Sequence, residues 1–273
     1  MSEYQYIEFQ AVDAPVIEDN MEFMYKQSSR ATITPWYFQN EYNFGDFHGN
    51  STEMLRRGYD IYFHYADFGI RQLTFALPEG LPWSKKVFDK YCGDEMLTWK
   101  KFNRIPNGIL SFCPEADGGS YDELIEFGLI TSKLPALREM LIAGDLRPLF
   151  LFWLACSWGD DPVPPIPAGL EERNGALEAL AEFYEISETL LQTASRLCEA
   201  SIPSGADLRY ETWLKSQKKP ALAKIVQDLL TDDPKAVQRK LMTEIRGENS
   251  TSLWPCSEVE MTFEQLHNLA YKK

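Results

Sequence analysis

The sequence predicts an α+β fold: an N-terminal mixed sheet with helices on one face, followed by an all-helical C-terminal part. Three observations predict it. Runs of alternating, β-branched and aromatic residues recur as far as residue 113 and then nearly vanish. Beyond residue 120, apolar residues recur at helical spacing behind capping residues. Between the two lies Ala116-Asp117-Gly118-Gly119-Ser120, a run of turn formers that sets the expected boundary, with an α+β domain over 1–118 and a helical domain over 119–273.

The elements follow in order. In residues 3–12, Ile7, Phe9 and Ala11 fall on one face and Tyr4 and Tyr6 on the other, the period of a strand. Residues 17–29 begin acidic and place Met21, Met24 and Tyr25 at helical spacing. Residues 31–44 return to β-formers, and Pro35 within them argues for an edge strand or a bend. A second helix is expected over 51–65 and a third strand over 70–77, with Pro82 opening a short helix through Tyr91. Residues 96–102 and 108–113 read as a hairpin turning on Ile105-Pro106-Asn107-Gly108.

In the second part, Ser120 and Glu123 form a Ser-x-x-Glu capping box. Gly144 ends one helix and Asp145 caps the next, with Pro148 in its first turn. Residues 160–169 are proline-rich and extended. Ser187 caps a helix bearing Leu190, Leu191, Ala194 and Leu197. The clearest helix runs over 220–230, where Leu222, Ile225, Val226, Leu229 and Leu230 form one stripe behind Pro220. Asp233-Pro234 starts another, with Val237, Leu241 and Ile245 on one face and Gly247 as its stop. Residues 249–257 read as a loop and 263–271 as a last short helix.

Composition excludes several functions. The net charge is −14, from 27 basic and 41 acidic residues, and both parts share the excess. No basic tail or patch stands out that would neutralise phosphates, so direct nucleic-acid binding and attachment to an anionic membrane are not expected. Cys92, Cys113, Cys156, Cys198 and Cys256 are far apart and in no Cys-x-x-Cys pair. Free thiols of a reducing cytoplasm fit them better than a disulfide scaffold or a zinc ribbon. The N-terminus lacks the basic and apolar regions of a signal peptide, and the longest apolar run, 149–158, is too short to span a bilayer.

Two stretches hold candidate chemistry. In Phe44-Gly45-Asp46-Phe47-His48-Gly49-Asn50-Ser51-Thr52-Glu53-Met54, Asn50 and Glu53 have the spacing of a helix start, and Gly45 and Gly49 allow a tight turn with positive φ. Asp46 and His48 remain as an acid–base pair without a group to fix the imidazole tautomer. In the second stretch, Asp60, His64 and Asp67 stand at i, i+4 and i+7. On a helix these would share a face able to hold a divalent metal such as manganese or iron, though the tyrosines among them mark a packing element as well. Phosphate-binding, dinucleotide, nucleophile-elbow and zinc-protease motifs are absent from the sequence, and no cofactor is implied. A third stretch is aromatic: Trp36, Tyr37, Tyr42, Phe44 and Phe47, with Phe38, crowd twelve residues. They read as a packed sheet face or as a patch that binds a protein partner. Four lysines in 214–224 read as a solvated helix face.

Several segments resemble a family of bacterial proteins, beginning MSEYQY-x-EF, that has no assigned activity. They are MSEYQYIEF, SSRATITP, YNFGDFHG, ADFGIRQLTFALP, GDLRPLFLFWL and PVPPIPAGL, with Trp213-Leu214 and Asp232-Asp233-Pro234 further on. The resemblance covers most of the chain and implies a bacterial cytoplasmic protein with no catalytic residues assigned. The family carries Asn-Trp-Gly where this chain has Asp67-Phe68-Gly69, which counts against Asp67 as a shared ligand.

The leading expectation is therefore a cytoplasmic protein-interaction or regulatory protein without catalytic activity. The alternatives are a metal-dependent or hydrolytic enzyme using Asp46 and His48 or Asp60 and His64, and an acidic nucleic-acid mimic that occupies a nucleic-acid-binding protein.

Overall fold

The computed structural model describes residues 4–43, 45–78, 81, 85–92, 96–101, 108–114, 127–201, 213–231, 234–246 and 254–272. The fold is α+β, as expected. Its N-terminal half is a seven-stranded sheet built from β1 (Gln5–Gln10), β2 (Thr32–Ile33), β3 (Tyr37–Tyr42), β4 (Ile61–Ala66), β5 (Ile70–Leu77), β6 (Leu97–Lys101) and β7 (Gly108–Phe112). The order across the sheet is β2-β3-β1-β4-β5-β7-β6, and every pairing is antiparallel.

Register assigns each side chain to a face. Phe9 stands opposite Phe38 on one side and Tyr62 on the other, and these face two short helices, α1 (Glu18–Tyr25) and α2 (Ser51–Arg56). Met21 and Met24 of α1 and Met54 and Leu55 of α2 complete this smaller core with Ile7 and Tyr59. Phe9 stacks on Tyr62 at 4.4 Å between ring centroids and meets Phe38 edge-on at 5.5 Å, the two arrangements that aromatic quadrupoles favour. The alternate residues Tyr6, Ile61, Phe63, Leu73, Phe75 and Phe112 point the other way, into a larger core shared with the C-terminal helices.

Those helices are α4 (Phe127–Thr131), α5 (Leu134–Ala143), α6 (Arg147–Cys156), α7 (Gly175–Phe183) and α8 (Glu188–Leu197). A short α3 (Lys85–Phe88) precedes β6. α6 is buried along nearly its whole length, which explains why its sequence is apolar on all sides. Gly144 adopts φ 88° at the end of α5, the left-handed stop its residue type suits. Asp145 accepts the Arg147 backbone N–H at 2.9 Å, so it caps α6 from one position further out than a standard N-cap. Ser187 accepts the Leu190 N–H at the start of α8, as its position predicted.

The proline-rich stretch is extended, and its β8 (Ile166–Pro167) pairs with β9 (Cys256–Ser257). The last helix, α11 (Phe263–Tyr271), then packs on α8 and buries Leu266 completely. Its start carries a reciprocal cap in which Thr262 and Gln265 bond each other's backbone. Between α8 and β9 the chain forms α9 (Lys219–Thr231) and α10 (Pro234–Arg246), which meet chiefly each other.

Two elements differ from expectation: Cys256–Ser257, expected within a loop of an all-helical part, is a short strand because it pairs with the extended proline-rich segment, and the second expected helix is divided. Residues 51–65 are not a single helix: α2 ends at Arg56, and Ile61–Ala66 is a central strand. Both faces of that strand are covered, one by α1 and α2 and one by the helical layer, so nearly every residue is buried and no polar alternation marks it. The expected boundary at 118/119, the Ser120–Glu123 box, the Pro82 helix start, the 105–107 turn, Asp233 and Gly247 lie outside the described residues.

Candidate functional site

The loop before α2 is a helix start. Asn50 Oδ1 accepts the Glu53 N–H at 3.0 Å. Glu53 does not bond back; its carboxylate pairs with Arg56 at 3.1 Å and Arg57 at 2.8 Å, while the Asn50 N–H donates to Gln27. Gly45 has the expected positive φ of 97°. Gly49 does not: a Cβ there would fall 2.3 Å from the Phe47 ring, so close ring approach is what requires glycine. Asp46 and His48 are both exposed.

The grouping of Asp60, His64 and Asp67 rested on a helical face, and the strand removes that premise. Four strand residues separate Asp60 from His64 by roughly 13 Å along the chain. Asp67 sits in the β4–β5 turn, where its N–H donates to the Tyr4 carbonyl at 3.1 Å. Among the described residues, no three of His, Cys, Asp and Glu come together in a way that could hold a metal ion.

Asp60 is instead one member of a buried ionic cluster. Its Oδ2 accepts the backbone N–H groups of Val12 at 2.6 Å and Asp13 at 3.1 Å. Its Oδ1 and the Asp13 carboxylate both accept from Arg138 Nη2, at 3.0 and 2.9 Å. Arg138 is 2% exposed and donates from Nε to the Ala76 carbonyl at 2.9 Å. Burial pushes the Asp60 carboxyl up, against the pull of Arg138 and the two backbone donors. The cluster fastens α5 to the adjoining ends of β1, β4 and β5.

The structure connects Asp46 not to His48 but to His64, through Gln5. Gln5 Nε2 donates to Asp46 Oδ1 at 2.7 Å, and Gln5 Oε1 lies 3.0 Å from His64 Nε2. Because the amide nitrogen is committed to the carboxylate, its oxygen faces the imidazole, and Nε2 must carry the proton. That leaves Nδ1 as the basic nitrogen. Burial pulls the His64 pKa down to about 4, partly opposed by the Asp46 charge, so the ring is neutral near pH 7. Across the β4–β5 pair stands Gln72, which donates to Thr74 Oγ1 at 3.3 Å and Ser111 Oγ at 3.1 Å. These side chains make a polar strip across β1, β4, β5 and β7. Chemically the strip offers a neutral, oriented base and several hydroxyl and amide groups. His48 stands apart on its exposed loop. Gln5 was missed in the sequence, although a polar residue on the Ile7–Phe9 face of β1 is itself a signal.

The aromatic stretch divides. Tyr42 is buried, and Phe47 packs on Phe9, Phe38 and Tyr42 with centroids 5.9–6.4 Å away. Phe44 lies outside the described residues. Trp36 and Tyr37, at the β2–β3 turn, stay 51% and 39% exposed. The 11–17 segment runs beside that turn, with the Ala11 N–H on the Trp36 carbonyl and the Val16 N–H on the Pro35 carbonyl, both at 2.8 Å. It brings up Ile17, 62% exposed.

No family model, curated protein or solved structure matches the chain. Among the described residues, no helix is long and apolar enough to cross a membrane.

Proposed function

We propose that the chain is a protein-interaction or regulatory protein without catalytic activity, and that it engages a protein partner at the β2–β3 turn. One observation carries the reading: Trp36, Tyr37 and Ile17 remain in water around one turn, while Tyr42 and Phe47 from the same aromatic stretch are packed away. The turn itself is firmly built. Thr34 Oγ1 accepts the Tyr37 N–H at 2.9 Å, and Tyr59 donates its hydroxyl to the Thr34 carbonyl at 2.9 Å. Large aromatic side chains presented on a rigid turn are the residues that dominate protein interfaces. Affinity purification from the source cells, wild type beside a Trp36→Ala/Tyr37→Ala variant, tests this. A partner should be lost from the variant while its fold is kept; a partner-free wild type, or one retained equally by both, removes the reading.

The Asp46–Gln5–His64 connection favours a second reading, an enzyme in which His64 Nδ1 takes a proton from substrate. His64→Gln tests it against activity screens for hydrolysis, with metal analysis of the purified protein alongside. Activity that survives the substitution, or none in the wild type, counts against it.

A further inference from the structure

α9 is amphipathic, yet it buries none of its side chains. Its inner side is half-covered: Leu222 and Ile225 share this state with Val237, Leu241 and Ile245 of α10, the helix it meets. Its outer side is open, with Val226 57% and Leu230 81% exposed. Helical spacing places Lys219 at the head of this same stripe. Charge also separates along the chain. Residues 213–246 carry eight Lys or Arg and four Asp or Glu, whereas the other 239 residues carry 19 and 37. The α9–α10 hairpin is thus a basic element with an apolar ridge on an otherwise strongly acidic molecule.

We propose that α9 docks, helix in groove, onto a protein partner whose apolar groove is rimmed by carboxylates. The ridge formed by Val226 and Leu230, one turn apart, is the kind of anchor such grooves accept. The exposed Lys218 and Lys219, at the head of the ridge, meet the acidic rim. The same rim repels the rest of this molecule, so only the hairpin can approach it, and the charge pattern selects the docking face as well as the partner. Other occupants fit less well. A nucleic acid would satisfy the lysines and leave the ridge in water. An anionic bilayer would face the acidic remainder of the chain. This surface is distinct from the β2–β3 turn, so the two proposals stand or fall separately.

The test uses the full chain with calcium-loaded calmodulin as probe, an acidic protein with apolar Met-lined grooves. Parallel samples hold phosphatidylserine-containing vesicles or single-stranded DNA, and sedimentation reports self-association. The expected result is saturable binding to calmodulin that weakens about tenfold or more in both Val226→Ala/Leu230→Ala and Val226→Asp/Leu230→Asp, and that weakens in high salt. Leu129→Ala, an exposed apolar residue on α4, should bind as wild type. The proposal is overturned by absent or ridge-independent binding, or by a preference for vesicles, DNA or a second copy. It is overturned equally if the alanine variant lowers Tm by more than about 4 °C, since a solvent-facing ridge contributes little to stability.

Discussion

His64 holds its neutral form because Gln5 and the sheet shield it from water, and this has a measurable consequence. Unfolded, the imidazole titrates near its ordinary 6.5; folded, its pKa is about 4. Between those values the unfolded chain binds the extra proton. The stabilisation is therefore complete above pH 6.5 and is lost as pH falls toward 4, a span of at most about 3 kcal/mol. Denaturant midpoints measured from pH 7 to 4 should fall less steeply in His64→Gln than in the wild type; equal slopes would show that the ring is not held neutral. Arg138 gives the larger effect. Replacing it with alanine leaves the Asp60 and Asp13 carboxylates facing each other with little water, and should destabilise by about 3–5 kcal/mol in equilibrium unfolding. Neither role was legible beforehand. Asp60 and His64 stood out by residue type, but Gln5 lies 59 positions from His64 and Arg138 78 from Asp60, and only the sheet and the α5 contact bring each pair together.

Local chemistry was legible wherever one element decides its own ends. Asn50, Ser187 and Gly144 do at α2, α8 and α5 what their residue types predict. Asn50→Ala should cost about 1 kcal/mol, read from thermal or denaturant unfolding. Gly49→Ala should also destabilise, through collision with the Phe47 ring rather than through φ. Element type failed at residues 61–65, and the reason is physical. Ile61, Phe63 and Tyr65 enter one core while Tyr62 enters the other, so a strand sealed on both faces shows no apolar–polar alternation, and only His64 interrupts its apolar run. Asp60 and His64, four apart, then supplied a helical spacing by accident. The last helix begins at Phe263 as expected, and the Thr262–Gln265 cap, readable as Thr-x-x-Gln, gives the physical reason.

At the scale of the whole molecule, the sheet and helices are joined by a core running from Phe63 and Phe75 through α5, α6 and α7 to Leu266 near the C-terminus. Leu266→Ala should therefore cost about 2–5 kcal/mol, as a core residue does, despite its place in the last helix; a near-neutral value in urea unfolding would show that α11 is dispensable. The same closure bears on the hairpin. Ser257 Oγ accepts the backbone N–H groups of Glu199 and Ala200, at 2.9 and 3.1 Å, so the chain leaves for α9 and returns from α10 at one clasp. An excursion that departs and arrives at a single point places no demand on the register of what lies beneath it. Its length and surface are free to drift, and a different cartridge plugged into the same socket would leave the rest of the scaffold undisturbed.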